Sequence, residues 1–364
     1  MCRETSTHGR SWEDTRCCNR STIFPWHLEF SEDSAGHLPT ERHVEATSFS
    51  GRVARLRTIH TAVVSALDER DADEWIRLAR RGDFEGAWAA SDRIRTRHDR
   101  VCNPTIPRHF QTVWDGTPLI GRRVLIRCYH GLGDTIQFIR YAPLVRSMAT
   151  HLAVWVQPPL LPLLERMKAI DELLPLHDGA PDADYDVDVE VMELPYVFRT
   201  TLATVPNAVP YLSAEPISIT AEGLRVGIVW RAGEWNAHRC IPFDVLAPLL
   251  DRIRVSWCSL QLARERNEHH PRLRDLPAGT VAATAQSMTA VDLVVSVDSM
   301  PAHLAGALGV PIWTLLPYDA DWRWMETRID SPWYPTMRLF RQPSPGCWPA
   351  VIEAVGRALD AMLR

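Results

Sequence analysis

The chain has 364 residues, more than one hydrophobic core usually organises, so two domains or one domain with appendages are expected. Hydrophobic residues make up 46% and charged residues 23%, which excludes a wholly disordered, collagen-like or fibrous chain. A formal net charge of −5 excludes the global basic excess of a nonspecific nucleic-acid binder and leaves room only for a local basic site.

Lys and Arg together number 40, yet Lys168 is the single lysine, so an anion site has to be assembled from arginine, histidine and backbone amides. The 14 tryptophans suit either a core or a sugar-like ligand, because flat amphipathic rings serve both. The opening MCRETSTHGRSW lacks an apolar core, and no run approaches the roughly 18 apolar residues of a spanning helix, so a cytoplasmic location is expected. Cys2, Cys17 and Cys18 fall in a polar stretch, while Cys102, Cys128, Cys240, Cys258 and Cys347 are scattered. Without a CxxC pair, reduced thiols are expected and a zinc ribbon is not.

Residues 1–55 are polar and aperiodic and read as a disordered tail, or as the product of a mis-assigned translation start. Residues 56–100 form a predicted helical hairpin: Trp75, Leu78 and Ala79 share one helix face, and Phe84, Ala87, Trp88, Ala90 and Ile94 the next, with a break at Arg81-Gly82-Asp83. "ARRGDFEGAW" is similar to the turn of a tetratricopeptide-type hairpin, but no second copy follows at a 34-residue spacing. Such an isolated unit would pack on the next domain or hold a partner.

Residues 101–215 read as a first α/β domain, with strands at "RRVLIRC", "HLAVWVQ", "ELLPL" and "YDVDVEV". The first strand runs into "YHGLGDTIQFIRYAPLV", a glycine turn and then a helix presenting Ile136, Ile139 and Ala142, which Pro143 should bend or end. Residues 216–364 read as a second series, with strands at "LRVGIVW", "RVSWCSL", "DLVVSV" and "VPIWTLL", helices at "FDVLAPLLDRI" and "SMPAHLAGALG", and a terminal helix. Two such domains, with strand-end loops facing a crevice, suit a nucleotide-linked ligand.

Three places could carry chemistry. In the turn His130-Gly131-Leu132-Gly133-Asp134, the glycines permit close ligand approach, and Asp134 is either a helix cap or a reactive carboxylate. The turn is neither GxGxxG nor a P-loop. In "SVDSMPAHLAGALG", Asp298 and Ser299 sit at a strand-to-helix handover, able to bind hydroxyls and phosphate or simply to cap, and His303 lies one turn in, facing a ligand or the core. In "WRAGEWNAHRCIP", Arg231 and Arg239 flank a flexible glycine, and Arg239 is a diphosphate clamp or a surface arginine. The DxD triplets of "DADYDVDVE" fit a one-faced strand better than a metal site, and His269-His270 lacks a third ligand. No metal site is expected.

Taken in order, "GLGDTIQFIRYAPLV", "VQPPLLPLL", "VVSVDSMPAHLAGALGVPIWTLLPYDADWRWM" and "DSPWYPTMRLFRQPSPGCWPAVIEAV" closely resemble glycosyltransferase family 9, the ADP-heptose:lipopolysaccharide heptosyltransferase-like group, and within it members whose transferase domain follows tetratricopeptide repeats. The resemblance runs from about Asp83 to the C-terminus. It implies a GT-B architecture: two Rossmann-like domains facing a cleft, an acceptor-binding N-domain and a nucleotide-sugar-binding C-domain whose terminal helix crosses back. It further implies an inverting, metal-independent glycosyltransferase without cofactor, moving a heptose-like sugar from a nucleotide-diphosphate donor such as ADP-heptose to a glycan or lipid-linked acceptor, with peripheral membrane contact through that acceptor.

By the same resemblance Asp134 is the general base in a turn made by Gly131 and Gly133, and Asp298, Ser299 and His303 bind the donor. Arg239, with Arg231 nearby, stands where the family often has lysine, and Gln261 meets the nucleotide edge. Trp322, Trp324 and Trp333 fall on the interdomain side, where at least one is expected to line the cleft. A noncatalytic nucleotide-sugar-binding scaffold, or a transferase with a protein acceptor, is the alternative.

Overall fold

Apolar β-branched runs alternate with small-residue and amphipathic stretches along the chain, and strands alternate with helices accordingly. A computed structural model describes residues 66–97, 108 and 111–364, save 234, 235, 263, 264 and 266. The expected tail, 1–55, and both ends of the expected 56–100 unit lie outside the described residues.

Two helices, α1 (Ala66–Arg80) and α2 (Phe84–Arg97), pack as a hairpin. Gly82 makes the turn at φ +80°, a left-handed conformation that costs a residue without Cβ little. Trp75, Ala79, Phe84, Ala87, Trp88, Ala90 and Ile94 are buried as the periodicity predicts, and Leu78 is half-buried.

The first sheet contains β1 (Arg123–Arg127), β2 (His151–Val156), β3 (Glu172–Pro175) and β4 (Val187–Glu190), all parallel in the order β3-β2-β1-β4. Leu125 of β1 stands opposite Ala153 and Asp188, which fixes the register. The helix predicted after β1 is divided into α3 (Leu132–Phe138), a 3-10 turn at Ile139–Tyr141, and α4 (Ala142–Met148). Pro143 lies in the first turn of α4, where a helix needs no amide donor. Two short helices follow, α5 (Leu161–Leu164) and α6 (Leu194–Val197).

The second sheet is built from β5 (Leu224–Val229), α7 (Phe243–Leu250), β6 (Val255–Ser259), β7 (Leu273–Asp275), α8 (Val281–Met288), β8 (Leu293–Val297), α9 (Met300–Ala307), β9 (Ile312–Leu316) and β10 (Met337–Arg341). Its six strands are parallel in the order β10-β9-β8-β5-β6-β7. Three of these elements have weak sequence signals. β7 has three residues, α8 is "VAATAQSM" with no wide apolar stripe, and β10 lies directly after a run of turns.

Parallel strands need cover on both faces. One face of each sheet contributes to a shared core holding Val124, Ile126 and Val154 from the first and Val294, Ile312 and Leu316 from the second. The other face of the second sheet is covered by α7 and by α10 (Trp348–Met362), whose Val351, Val355 and Leu359 belong to a separate core there. The terminal helix, expected to cross back, is therefore held mainly by α7 and β10.

The hairpin packs against both sheets' loops. Trp88 Nε1 donates to the carbonyl of Thr200 at 2.6 Å, and Tyr196 donates to Asp92 at 2.6 Å, on the first unit. Arg80 pairs with Asp319 at 2.5 Å, and the Glu326 amide donates to the Arg80 carbonyl, on the second. Trp322 and Trp333, expected near a cleft, are instead fully buried in the aromatic core that joins the hairpin, α3 and the second unit. Trp75 lies 5.2 Å and Phe84 6.0 Å from the Trp322 ring, and Phe138 of α3 stacks on that ring at 6.5 Å. Among the described residues no helix is long and apolar enough to cross a membrane.

Candidate active site

In an open parallel sheet, strand order reverses where successive crossovers depart to opposite sides, and the loops beyond the strands' carboxyl ends part there. The first sheet reverses between β1 and β4, the second between β5 and β8. The charged residues of the glycine turn and of the β8–α9 junction cluster at these two points.

At the first, His130 Nδ1 lies 3.0 Å from Glu190 Oε1, both side chains almost fully buried. Burial works against the imidazolium, but the Glu190 carboxylate, by charge and hydrogen bond, and Asp134 carry the His130 pKa above its ordinary value. Gln157 donates to the His130 carbonyl at 2.6 Å and holds the turn.

Asp134 does more than the capping role allows. Its Oδ2 accepts the Gly131 amide at 3.0 Å, as a first-turn carboxylate should, while Oδ1 accepts Nη2 of Arg323 at 2.6 Å. Arg323, from the 3-10 turn Trp322–Trp324, donates its other terminal nitrogen to Asp321 at 2.7 Å, and its side chain is 6% exposed. One guanidinium thus joins a carboxylate of the first unit to one of the second.

At the second reversal Arg239 Nη1 stands 3.9 Å from Asp298 Oδ2, both nearly buried. Burial pushes the Asp298 carboxyl up, Arg239 and Trp324 oppose it, and Asp321 adds to it. Burial draws the Arg239 guanidinium down against the pull of Asp298, Asp321 and Asp134. Ser299 occupies the N-cap position of α9, but its hydroxyl donates back to the Val297 carbonyl at 3.1 Å, so the side chain does not cap.

His303 is buried, its Nδ1 3.0 Å from the Tyr334 hydroxyl and its ring stacked on Trp324 at 5.3 Å. Burial pushes its pKa well below the ordinary range, reinforced by Arg323, Arg140 and Arg239, so the imidazole is neutral. Trp324 is fully buried against His303, so none of the three tryptophans presents a ring to solvent.

Gly133 admits a close approach by the chain itself. A Cβ on Gly133 would lie 3.0 Å from His303 Cδ2 and 3.3 Å from Met300 Cα, so the close approach is by helix α9. Gly306 lets the Tyr334 ring lie on α9 in the same way, since a Cβ there would come within 2.4 Å of it.

Arg231 and Gln261 form a separate corner. Arg231 is fixed by Glu265 at 2.7 Å and Glu268 at 3.0 Å, and the side-chain Oε1 of Gln261 accepts the Arg231 amide at 3.1 Å. In this arrangement the Arg231 charge is already answered by two carboxylates. Two of the DxD aspartates are likewise engaged: Asp186 accepts the Arg123 amide, and Asp188 pairs with Arg127.

Residue-by-residue reading of the sequence missed Glu190, Asp321, Arg323 and Tyr334, and it named His130 within the glycine turn without giving it a role. Arg323 had a signal, a cation flanked by tryptophans in "DWRWM". Glu190 had none, because nothing local says that a strand-end glutamate meets the turn after another strand.

No family model matches the chain. It is 27% identical over 286 residues to Protein FlbA of Caulobacter vibrioides, covering 68% of this chain and 48% of that one. The chain thus spans about half the length of the curated relative it matches. Among solved structures it matches the glycosyl transferase family 9 protein from Veillonella parvula, with a TM-score of 0.52 and 14% identity over 68% of this chain and 98% of that one. The E. coli heptosyltransferase WaaC, solved with ADP-2-deoxy-2-fluoro heptose, aligns with a TM-score of 0.45 at 14% identity over 66% of this chain and 99% of that one. The chain therefore has the fold of a family 9 glycosyltransferase structure.

Proposed function

We propose that this chain is an inverting glycosyltransferase that moves a sugar from a nucleotide-diphosphate donor to an acceptor hydroxyl without a metal ion. The observation that carries the reading is the placement of Asp134: a carboxylate on the glycine turn at one sheet's reversal point, facing Arg323 and grouped with Arg239, Asp298 and His303 from the other.

In this reading Asp134 takes the proton of the acceptor hydroxyl as that oxygen bonds to the anomeric carbon. The bond from that carbon to the diphosphate breaks, and the diphosphate leaves with the electron pair. Arg239 and Arg323 supply the positive potential that the leaving group needs, in place of the lysine that resembling proteins often carry. Neutral His303 cannot add charge and orients the pocket through Tyr334 and Trp324. A heptose-like sugar on ADP is the donor that the family resemblance favours, with a glycan, lipid-linked glycan or protein as acceptor.

The test is Asp134→Asn assayed with a panel of nucleotide sugars. Transfer by the wild type that falls by at least about a thousandfold in the variant, with donor binding not weakened, is expected of a lost base. Near-normal turnover by the variant would sink the assignment.

A further inference from the structure

Arg323 is the electrostatic centre of the cluster. It binds Asp134 at 2.6 Å and Asp321 at 2.7 Å, and it is close enough to Asp298, His303 and His130 to act on all three. Counted as ionised, Asp134, Asp298 and Asp321 face Arg239 and Arg323, so both of these guanidiniums are already answered by carboxylates. Side-chain charge can meet a diphosphate here if a guanidinium turns from one of its carboxylates to the ligand.

Arg239 is the less suitable one to move, because turning it to a ligand would draw a cation away from buried Asp298. Arg323 keeps Asp321 within its own turn as a second anchor, so it can release Asp134 while remaining paired. The bond it would release is the one to the proposed base.

We propose that Arg323 is a positioning residue that ties proton acceptance to donor occupancy: it holds Asp134 in the empty site and turns to the donor diphosphate on binding, freeing the carboxylate for the acceptor hydroxyl. The inference rests on the nucleotide-diphosphate reading above. It gives the chain a reason to keep a cation against its base, since a carboxylate oxygen bonded to a guanidinium is not open to the acceptor hydroxyl until the donor is in place.

The test is calorimetric titration of the full chain with ADP, UDP and GDP in four forms: wild type, Asp134→Asn, Arg323→Gln and the double variant. If Arg323 exchanges Asp134 for diphosphate, Asp134→Asn removes its competitor and tightens binding by about threefold to tenfold, while Arg323→Gln weakens it by about tenfold or more. The tightening must then vanish in the Arg323→Gln background. Equal tightening in both backgrounds, the result of merely deleting a negative charge, or tightening in neither, would overturn the exchange while leaving nucleotide binding intact. Failure of the wild type to bind any of the three would instead overturn the functional reading. If Arg323→Gln does not fold, Arg323→Gln with Asp321→Asn, which removes the cation together with one of its carboxylates, takes its place in the cycle with the same two outcomes.

Discussion

Gly133 of the first unit and His303 of the second are in direct contact: a Cβ on the glycine would lie 3.0 Å from the imidazole Cδ2. Neither neighbour can give way, because Met300 meets the same position with its backbone and His303 is held by Tyr334 and Trp324.

Gly133→Ala is therefore expected to destabilise the chain. Helix propensity alone would favour alanine by about 1 kcal/mol, but overpacking against a backbone costs about 1–3 kcal/mol. A lower melting temperature, together with weakened nucleotide binding as α3 is pushed from α9, is the expected outcome. An unchanged or raised melting temperature would show that the two helices do not pack this closely.

Trp75→Ala tests the hairpin's part in the shared core. The ring is fully buried and lies edge-on to Trp322 at 5.2 Å. Truncation should cost about 3–5 kcal/mol in urea unfolding. A loss below about 1 kcal/mol would mean that the hairpin folds apart from the sheets.

Arg239 and Arg231 were paired by the sequence and are separated by the structure. Arg239→Ala should weaken nucleoside-diphosphate binding by about tenfold or more, because it removes a cation beside Asp298. Arg231→Ala should change affinity by less than about threefold and act instead on stability, leaving the buried Glu268 without its cation. Calorimetry and thermal melts of the two variants decide the matter, and the reverse ranking would move the diphosphate to the Arg231 corner.

Acidity offers a further check. Burial pushes Glu193 from an ordinary 4.5 up to about 8, with Glu190 adding to it against amide hydrogen bonds from Glu190, Trp114 and Val113. Between those values the native carboxyl keeps a proton that the unfolded chain has lost, so stability should fall as pH rises from 4.5 towards 8, by an amount on the order of a few kcal/mol. Raised His130 and Asp298 act in the same direction, and lowered His303 opposes them below its ordinary pKa. Glu193→Gln should flatten the decline in urea midpoint across that range. A decline of equal slope in the variant would assign it elsewhere.

Much of this molecule was legible in its sequence because its signals are local. A parallel strand buried on both faces must be apolar throughout, so "RRVLIRC", "LRVGIVW" and "DLVVSV" announced themselves, and a glycine turn after the first of them located Asp134. The hairpin's burial pattern followed from helical period alone. What periodicity could not supply were elements too short or too bland to have one, as with β7 and α8.

The candidate site divides along the same line. The sequence by itself determined which residues stand at strand ends, and by its near lack of lysine it determined that the permanent cations of the chain are almost all arginines. Only the tertiary structure decided which arginines stand beside Asp134 and Asp298. Arg231, next to a strand end, is neutralised by Glu265 and Glu268, whereas Arg323, 189 residues from Asp134, comes to lie against it. Charge pairing in a folded chain is set by distances in space and by the exclusion of water, and neither is written in the spacing of residues along the chain.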